Sequence, residues 1–320
     1  MAKGYLRSSY PYSKGPGVLV DPPPPPVRSG FAQVRDGAQL YWRTIGTGGP
    51  ALVCCNGVGV STFFFKYVVE HFRDRHQVLV WDYRGHGRSS MPPGDPSSAD
   101  LSIERSAEDL HVVLSSAGIT GPLVLLGHSM GCQVLFEYTH RYPSQVVALV
   151  PLFGTAGRPL DTFLGLPHAR KAFDVLHRIA GWGGRNGARV LLPLYASPVA
   201  FAVGSAIGFV DRHYAERADI ARYLEHLGHM DPQVFLRMVS LIADHDATPY
   251  LSTLEQPALV FAGERDLFTP LHLSQAIARE LPQAELMILA DATHAAIVEY
   301  PDTINLRIER FLREHGLHDG

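Results

Sequence analysis

Residues 123–141 read LVLLGHSMGCQVLFEYTHR. The run Leu123–Leu126 predicts a strand buried on both faces, and Cys132–Arg141 predicts a helix directly after it. A serine on a sharp strand-to-helix turn is held in strained backbone geometry, and flanking glycines remove Cβ clashes there. Gly127-His128-Ser129-Met130-Gly131 fits this pattern. We therefore predict that Ser129 is a nucleophile at the carboxyl end of a sheet.

Short apolar runs alternate with helical patterns on both sides of this turn. Ala51–Cys55 and Gln77–Trp81 are predicted strands, and Ile103–Ala117 has apolar residues at helical spacing. This alternation is typical of an α/β fold with a mainly parallel sheet flanked by helices. The other predicted strands are Phe31–Arg35, Ala38–Ile45, Val146–Leu152, Ala258–Ala262 and Ala284–Ala290, and the other predicted helices are Phe63–Phe72, Leu271–Leu281 and Thr303–Glu314.

The alternation stops between residues 158 and 250, where helices and loops are predicted without a strand. We interpret 158–250 as an inserted helical cap (lid) on a core formed by residues 31–157 and 251–320. Residues 1–30 are predicted to be a proline-rich N-terminal extension of polyproline II geometry. Val190–Val210 has no charged residue, but its prolines and glycines favour two short helices over a membrane span.

The composition excludes several classes of protein. The net charge is −3 without a run of basic residues, which argues against nucleic-acid binding. The sequence has three cysteines, Cys54, Cys55 and Cys132, of which the first two are adjacent. An odd number with an adjacent pair does not indicate a disulfide framework, so we expect free thiols in a reducing compartment. We also expect a cytoplasmic protein without a secretory signal. Neither a metal-ligand spacing nor a nucleotide-binding motif is present, and the chemistry is predicted to need no cofactor.

A serine hydroxyl needs a base that takes its proton. His294 follows the last predicted strand, and loops at the carboxyl ends of parallel strands meet at one edge of a sheet. His294 is therefore the predicted base. The side chain of His128, beside the nucleophile, is expected to project elsewhere.

The base needs an acid that fixes its tautomer and stabilises the imidazolium. Asp266 lies in Gly263-Glu264-Arg265-Asp266, directly after the strand Ala258–Ala262, and is the predicted acid. The alternative acid position, residues 153–157, has no carboxylate. Two rival carboxylates remain: Asp291, interpreted as a loop cap, and Glu264, interpreted as a surface charge.

Two backbone N–H groups should form an oxyanion hole. One is the N–H of Met130, directly after the nucleophile. The other is expected from the loop Asn56-Gly57-Val58-Gly59, which follows the strand Ala51–Cys55, and Val58 is the predicted donor.

These motifs resemble the α/β-hydrolase superfamily, in its serine esterase, lactonase and perhydrolase branch with a helical cap. The resemblance covers residues 31–157 and 251–316 and includes the chain order Ser129, Asp266, His294. The segment Asp82–Ser89 looks like the Gly-rich loop after the fourth strand, with a structural role in shaping the site. Asn56-Gly57 departs from the His-Gly of many relatives, and a serine nucleophile argues against the dehalogenase and epoxide-hydrolase branches.

The resemblance implies a hydrolase for carboxylic esters, thioesters or lactones that carry a lipophilic acyl group. The expected partner is a small-molecule ester, and an apolar cap allows weak contact with a membrane or lipid. An acyltransferase or a cofactor-free perhydrolase would use the same triad, and a slow-turnover ligand receptor would keep the same fold. The apolar cap residues are Phe163, Leu164, Leu166, Leu191, Leu192, Leu194, Tyr195, Val199, Phe201, Val203, Phe209, Phe235, Leu236, Met238 and Val239.

Overall fold

A computed structural model describes residues 25–95, 98–158, 205, 209–211 and 213–318. Their strands form one eight-stranded sheet of order β1-β2-β4-β3-β5-β6-β7-β8. The strands are β1 Val27–Gln33, β2 Gln39–Ile45, β3 Ala51–Cys55, β4 Val78–Trp81, β5 Leu123–His128, β6 Val146–Leu152, β7 Ala258–Gly263 and β8 Ala284–Leu289.

The sheet is mainly parallel, as predicted. Strands β3 to β8 run parallel to one another, whereas β1 and β2 form an antiparallel hairpin whose second strand pairs antiparallel with β4. All residues of β3, β4, β5 and β7 are buried. Burial on both faces explains why their sequences are continuous apolar runs without alternation.

Helices cover both faces of this sheet. In β3, Leu52 and Cys54 face one core, while Val53 and Cys55 face the other, as the two-residue period of a strand requires. The helices are α1 Lys66–Phe72, α2 Ile103–Ala117, α3 Met130–Arg141, α4 Arg217–His229, α5 Pro232–Asp244, α6 Thr248–Leu251, α7 Leu271–Glu280, α8 Ala296–Glu299 and α9 Pro301–Glu314. Two 3₁₀ turns span Thr62–Phe65 and Pro143–Gln145.

Local signals define the ends of α2. The side chain of Ser102 accepts a hydrogen bond from the N–H of Arg105 at the start, and Gly118 ends the helix with a φ of 69°. A short oxygen acceptor at the N-cap and a left-handed glycine at the C-terminus are the usual helix boundaries. The sequence prediction therefore located both ends of this helix.

Other boundaries differ from the sequence predictions. Strand β1 begins at Val27, inside the range assigned to the N-terminal extension, because residues 27–33 pair with β2 over their whole length. The helix after Ser129 begins at Met130 instead of Cys132. The predicted helix Phe63–Phe72 consists of a 3₁₀ turn followed by α1.

The described part of the predicted cap is helical in α4, α5 and α6. Most of the uncharged segment Val190–Val210 lies outside the described residues, as do residues 1–24 and the predicted cap residues Phe163 to Val203. Among the helices that the structure describes, none is long and apolar enough to cross a membrane.

Candidate active site

The turn between β5 and α3 carries Ser129 in an unusual backbone conformation. Its φ is 55° and its ψ is −117°, a combination that non-glycine residues rarely adopt. A Cβ on Gly127 would lie 2.4 Å from the backbone oxygen of Gly131, and a Cβ on Gly131 would lie 2.0 Å from the backbone oxygen of Cys55. Both flanking positions therefore require glycine for β5 and α3 to pack this closely.

The imidazole of His294, the predicted base, connects the predicted nucleophile with the predicted acid. The Nε2 atom of His294 lies 3.0 Å from the Oγ of Ser129. Its Nδ1 lies 2.9 Å from an Oδ of Asp266. His294 and Asp266 are buried, whereas Ser129 is half-buried. The structure thus brings these three side chains together in a hydrogen-bonded chain that begins at an accessible hydroxyl.

The carboxylate of Asp266 is held by the start of the next helical segment. One oxygen accepts hydrogen bonds from the N–H groups of Phe268 and Thr269, both at 2.9 Å. The other accepts from the hydroxyl of Thr269 at 2.7 Å. These donors hold the carboxylate in place while one of its oxygens faces the imidazole. The rival carboxylates Glu264 and Asp291 are exposed.

Thr269 links the carboxylate to a second strand end. Its hydroxyl also lies 2.9 Å from the backbone oxygen of Phe153 and 3.3 Å from Nδ1 of His294. Phe153 directly follows β6 and has a positive φ of 49°. The alternative acid position, residues 153–157, has no carboxylate but contributes the backbone oxygen of Phe153, which contacts the hydroxyl of Thr269.

His128 supports the loop that carries His294. Its Nε2–H donates to the backbone oxygen of His294 at 2.9 Å, and the two rings are 5.0 Å apart. Burial, followed by the nearby imidazole of His294, lowers the pKa of His128 to about 3. The side chain was expected to project elsewhere, but as a neutral ring it contacts the predicted base.

A buried carboxylate holds the other side of the same loop. Glu299 accepts hydrogen bonds from the hydroxyl of Thr293 at 2.5 Å and from the N–H of Asp211 at 2.6 Å. Asp211 lies within the predicted cap, residues 158–250. Burial raises the pKa of Glu299. Glu299 thus joins the His294 loop to the predicted cap.

The predicted oxyanion loop packs against the nucleophile turn. A Cβ on Gly57 would lie 3.2 Å from the Cβ of Ser129. The N–H of Gly59 donates to Nε2 of His86 at 3.0 Å. Val58 lies between these two glycines and is half-buried. Met130 is the first residue of α3, so its N–H has no acceptor within the helix.

Asn56 fixes this loop to β4, and Asp82, directly after β4, holds the segments that begin at Thr62 and Arg88. Asn56 donates its side-chain N–H to the backbone oxygen of Trp81 at 2.9 Å, so the Asn56-Gly57 pair still has support where many relatives have His-Gly. Asp82 accepts from the N–H groups of Thr62 and Arg88, each at 2.9 Å. Burial raises the pKa of Asp82 to about 6.

Helix α3 also contacts both ends of the predicted cap. The side-chain nitrogen of Gln133 lies 3.3 Å from the backbone oxygen of Gly157, and 3.2 Å from those of Ile242 and His245. Helices α4 and α5 approach the predicted oxyanion loop: a Cβ placed on Gly59 would lie 3.1 Å from the side chain of Leu227 and 2.9 Å from that of Phe235. These two helices of the predicted cap therefore cover the loop beside Ser129.

Sequence reasoning missed several supporting residues. Thr269 lies three residues after Asp266, a spacing at which a side-chain hydroxyl can donate to the preceding carboxylate. The local sequence therefore contained a signal for this contact. Gln133 and Glu299 act over long sequence separations, and their own neighbourhoods carry no signal. His86 belongs to the segment Asp82–Ser89, which is predicted to shape the site, but its bond to Gly59 was not predicted. Within the described residues, no group of three or more His, Cys, Asp or Glu side chains could hold a metal ion.

Comparison with known proteins agrees with this architecture. The family model for the alpha/beta hydrolase fold matches residues 50–301. A putative carbamate hydrolase RutD of Agrobacterium fabrum is 26% identical over 264 residues, which are 82% of this chain and 93% of that protein. A protein of the same name from Escherichia coli O9:H4 is 26% identical over 257 residues, which are 80% of this chain and 88% of that protein.

Solved structures have the same fold. A thermophilic esterase from Thermogutta terrifontis has a TM-score of 0.70 at 24% identity, covering 90% of this chain and 99% of that one. The enol-lactonase from Burkholderia xenovorans LB400 has a TM-score of 0.71 at 22% identity, covering 89% of this chain and 100% of that one. The family match and the names of the relatives support hydrolase activity. The predicted superfamily is confirmed, and the chain belongs to the α/β-hydrolase fold family.

Proposed function

We propose that this protein is a serine hydrolase that cleaves carboxylic esters, thioesters or lactones with a lipophilic acyl group. The observation that carries the proposal is the single imidazole of His294, which lies 3.0 Å from the Oγ of Ser129 and 2.9 Å from a carboxylate oxygen of Asp266. A nucleophile, a base and an orienting acid in this order constitute the machinery of acyl transfer.

In the first step the Oγ of Ser129 bonds to the substrate's carbonyl carbon while its proton passes to Nε2 of His294. Asp266 accepts the Nδ1–H and stabilises the imidazolium by its charge. The carbonyl oxygen becomes an oxyanion, and the backbone N–H groups of Met130 and Val58 are the proposed donors to it. The dipole of α3, whose N-terminus lies at Met130, adds to this stabilisation.

The tetrahedral intermediate then collapses. The bond from carbon to the alcohol oxygen breaks, and that oxygen takes the proton from His294. Water loses a proton to the same nitrogen and attacks the acyl-enzyme, which releases the acid and restores Ser129. All proton transfers pass through His294, because no other described imidazole contacts the Oγ of Ser129.

The apolar side chains around the site support a lipophilic substrate. Phe235 and Leu227 of the cap helices approach the oxyanion loop at Gly59, and Val234 approaches Gly85. Apolar walls with few polar groups are usual for small-molecule sites. Contact of the cap with lipid remains a prediction.

A carbamate is the second candidate substrate, and the names of the RutD relatives favour it. The same attack on the carbonyl carbon of a carbamate ester would expel the alcohol, with His294 again as its proton donor, and would leave a carbamoyl group on Ser129 that water removes as the carbamic acid. The two candidates therefore share Ser129 and His294 and differ in the acyl group.

The test combines labelling with turnover. Wild-type protein is expected to react with a fluorophosphonate probe and to hydrolyse p-nitrophenyl esters, with activity that depends on acyl chain length. Ser129→Ala should bind esters but lose both labelling and turnover. Ser102→Ala, at the cap of α2, is a matched control that should retain both. Full activity of Ser129→Ala would refute the proposal.

Product analysis separates the remaining possibilities. Added alcohols or amines would divert the acyl group in an acyltransferase, and hydrogen peroxide would do so in a perhydrolase. A receptor would be labelled by the probe but would release its acyl group only slowly. A panel of carbamate esters with the same alcohols, measured beside the carboxylic esters, identifies the preferred acyl group.

A further inference from the structure

An apolar cleft lies beside the proposed triad, between α4, the turn Thr62–Phe65 and the loop after His294. Its space is about 430 Å³, including the part open to solvent. Phe64, Phe209 and Ile220 are among its walls.

The charged residue in the cleft is already paired. Asp219 lines the wall, but one carboxylate oxygen forms an ion pair with Lys66, and the other accepts from the hydroxyl of Tyr67 at 2.9 Å. The other nine described lining residues are apolar or aromatic. An ionised ligand would lose its hydration without gaining a partner there, so the cleft favours an uncharged apolar group.

The cleft is on the side of His294. Ala295, the next residue, forms part of its wall and donates its N–H to the backbone oxygen of Phe209 at 3.0 Å. The ring of Phe209, also in the wall, is centred 5.9 Å from the imidazole. Val298 extends the same wall along α8.

Acid catalysis determines which part of an ester lies on that side. His294 must return its proton to the alcohol oxygen when the bond from carbon to oxygen breaks. That oxygen therefore lies within hydrogen-bond distance of Nε2, and the alkyl group attached to it begins next to the imidazole. The carbonyl oxygen points instead toward Met130 and Val58.

We infer that this cleft binds the leaving group, and that the preferred substrates are esters of uncharged, apolar alcohols of limited size. The inference rests on the proposed function, because it assigns a leaving group to His294. It adds that the alcohol is selected by α4 and the His294 loop. It places the acyl group outside this cleft.

The test compares two ester series. The first keeps an acetyl group and lengthens the alcohol from methanol to hexanol, and the second keeps methanol and lengthens the acid. Ala215→Leu adds bulk to the cleft from its buried wall position. Ala218→Leu makes the same change at an exposed position of α4 and is the matched control.

Ala215→Leu is expected to lower kcat/KM for hexyl acetate relative to methyl acetate by about 10-fold or more, the usual effect of one extra group in an apolar pocket. Ile220→Ala, which widens the cleft, should shift the preference toward longer alcohols. Neither variant should change the acyl series. All acetates form the same acyl-enzyme, so the rate of its hydrolysis should also stay unchanged.

A change confined to the acyl series, or no change in either series, would overturn the inference while leaving the proposed function intact. Failure of the wild type to hydrolyse any ester or to react with a fluorophosphonate would instead refute the proposed function, and this inference with it. Circular dichroism of each variant, together with the opposite Ile220→Ala substitution, separates a misfolded protein from an altered cleft.

Discussion

Replacing Thr269 with valine would remove one hydroxyl from the surroundings of the proposed acid and keep the branched shape of the side chain. In the structure that hydroxyl lies 2.7 Å from a carboxylate oxygen of Asp266 and 2.9 Å from the backbone oxygen of Phe153. The side chain is buried, so water cannot replace the lost donor. The carboxylate keeps two backbone donors, from Phe268 and position 269 itself.

The size of the effect follows from the charge of the acceptor. A hydrogen bond to a charged group contributes about 1.5–3 kcal/mol. If the bond holds Asp266 in place for the transition state, its loss corresponds to a decrease in kcat/KM of about 10-fold to 150-fold, because 1.36 kcal/mol is tenfold in rate. We expect the lower part of this interval, since the backbone donors remain. KM should change little, because Thr269 lies behind the acid.

The assay measures p-nitrophenyl ester hydrolysis and the rate of fluorophosphonate labelling for Thr269→Val and Thr269→Ser. Serine keeps the hydroxyl and should recover most of the activity and most of the labelling rate. Thermal unfolding reports stability separately. A Thr269→Val variant with wild-type labelling and turnover, despite a lower Tm, would refute a positioning role and leave only a structural one.

Two further predictions concern packing and charge. Gly131→Ala should prevent the formation of soluble protein that reacts with the fluorophosphonate probe, because the new Cβ would lie 2.0 Å from a backbone oxygen at the end of β3. Gly121→Ala is the control: nothing lies within 4 Å of its new Cβ, so it should behave as wild type in the same expression and labelling assay. Hydrogen bonding, first from His245, lowers the pKa of Glu137 to about 2 from an ordinary value of 4.5. Because the folded pKa is lowered, this stabilisation is fully present above pH 4.5 and is lost as the pH falls toward 2. Urea unfolding between pH 6 and pH 3 should therefore show a smaller loss of stability for Glu137→Gln than for wild type, and equal losses would contradict this interpretation.

The sequence predicted the site residues whose positions follow from a local turn or from the end of a strand. Ser129 was recognisable because its turn, strand and helix are contiguous. His294 and Asp266 were recognisable because each follows a strand, and parallel strands end at one edge. The structure places His294 beside Ser129 and Asp266 beside His294, although their catalytic role stays a prediction.

The supporting contacts could not be predicted in the same way. The bond between Thr269 and the backbone of Phe153 joins residues 116 positions apart, and the bond between Gln133 and His245 joins residues 112 apart. Such pairs depend on the register of whole elements against each other. The short helix α8 was also missed, because four residues carry too little periodicity to predict a helix.

The contacts of Gln133 have a consequence for how such a protein can be rebuilt. One side chain of the core meets both entry points of the inserted segment, and the N–H of Ala247 donates to the backbone oxygen of Ala156 at 2.8 Å, which closes the segment at its base. Closing a longer or shorter loop between fixed ends changes the free energy only slowly with length. Residues 157 and 245 are therefore suitable junctions for grafting, at which the predicted cap can be exchanged while Ser129 and Asp266 keep their contacts, provided that the new segment replaces the N–H of Asp211 that Glu299 accepts beside the His294 loop.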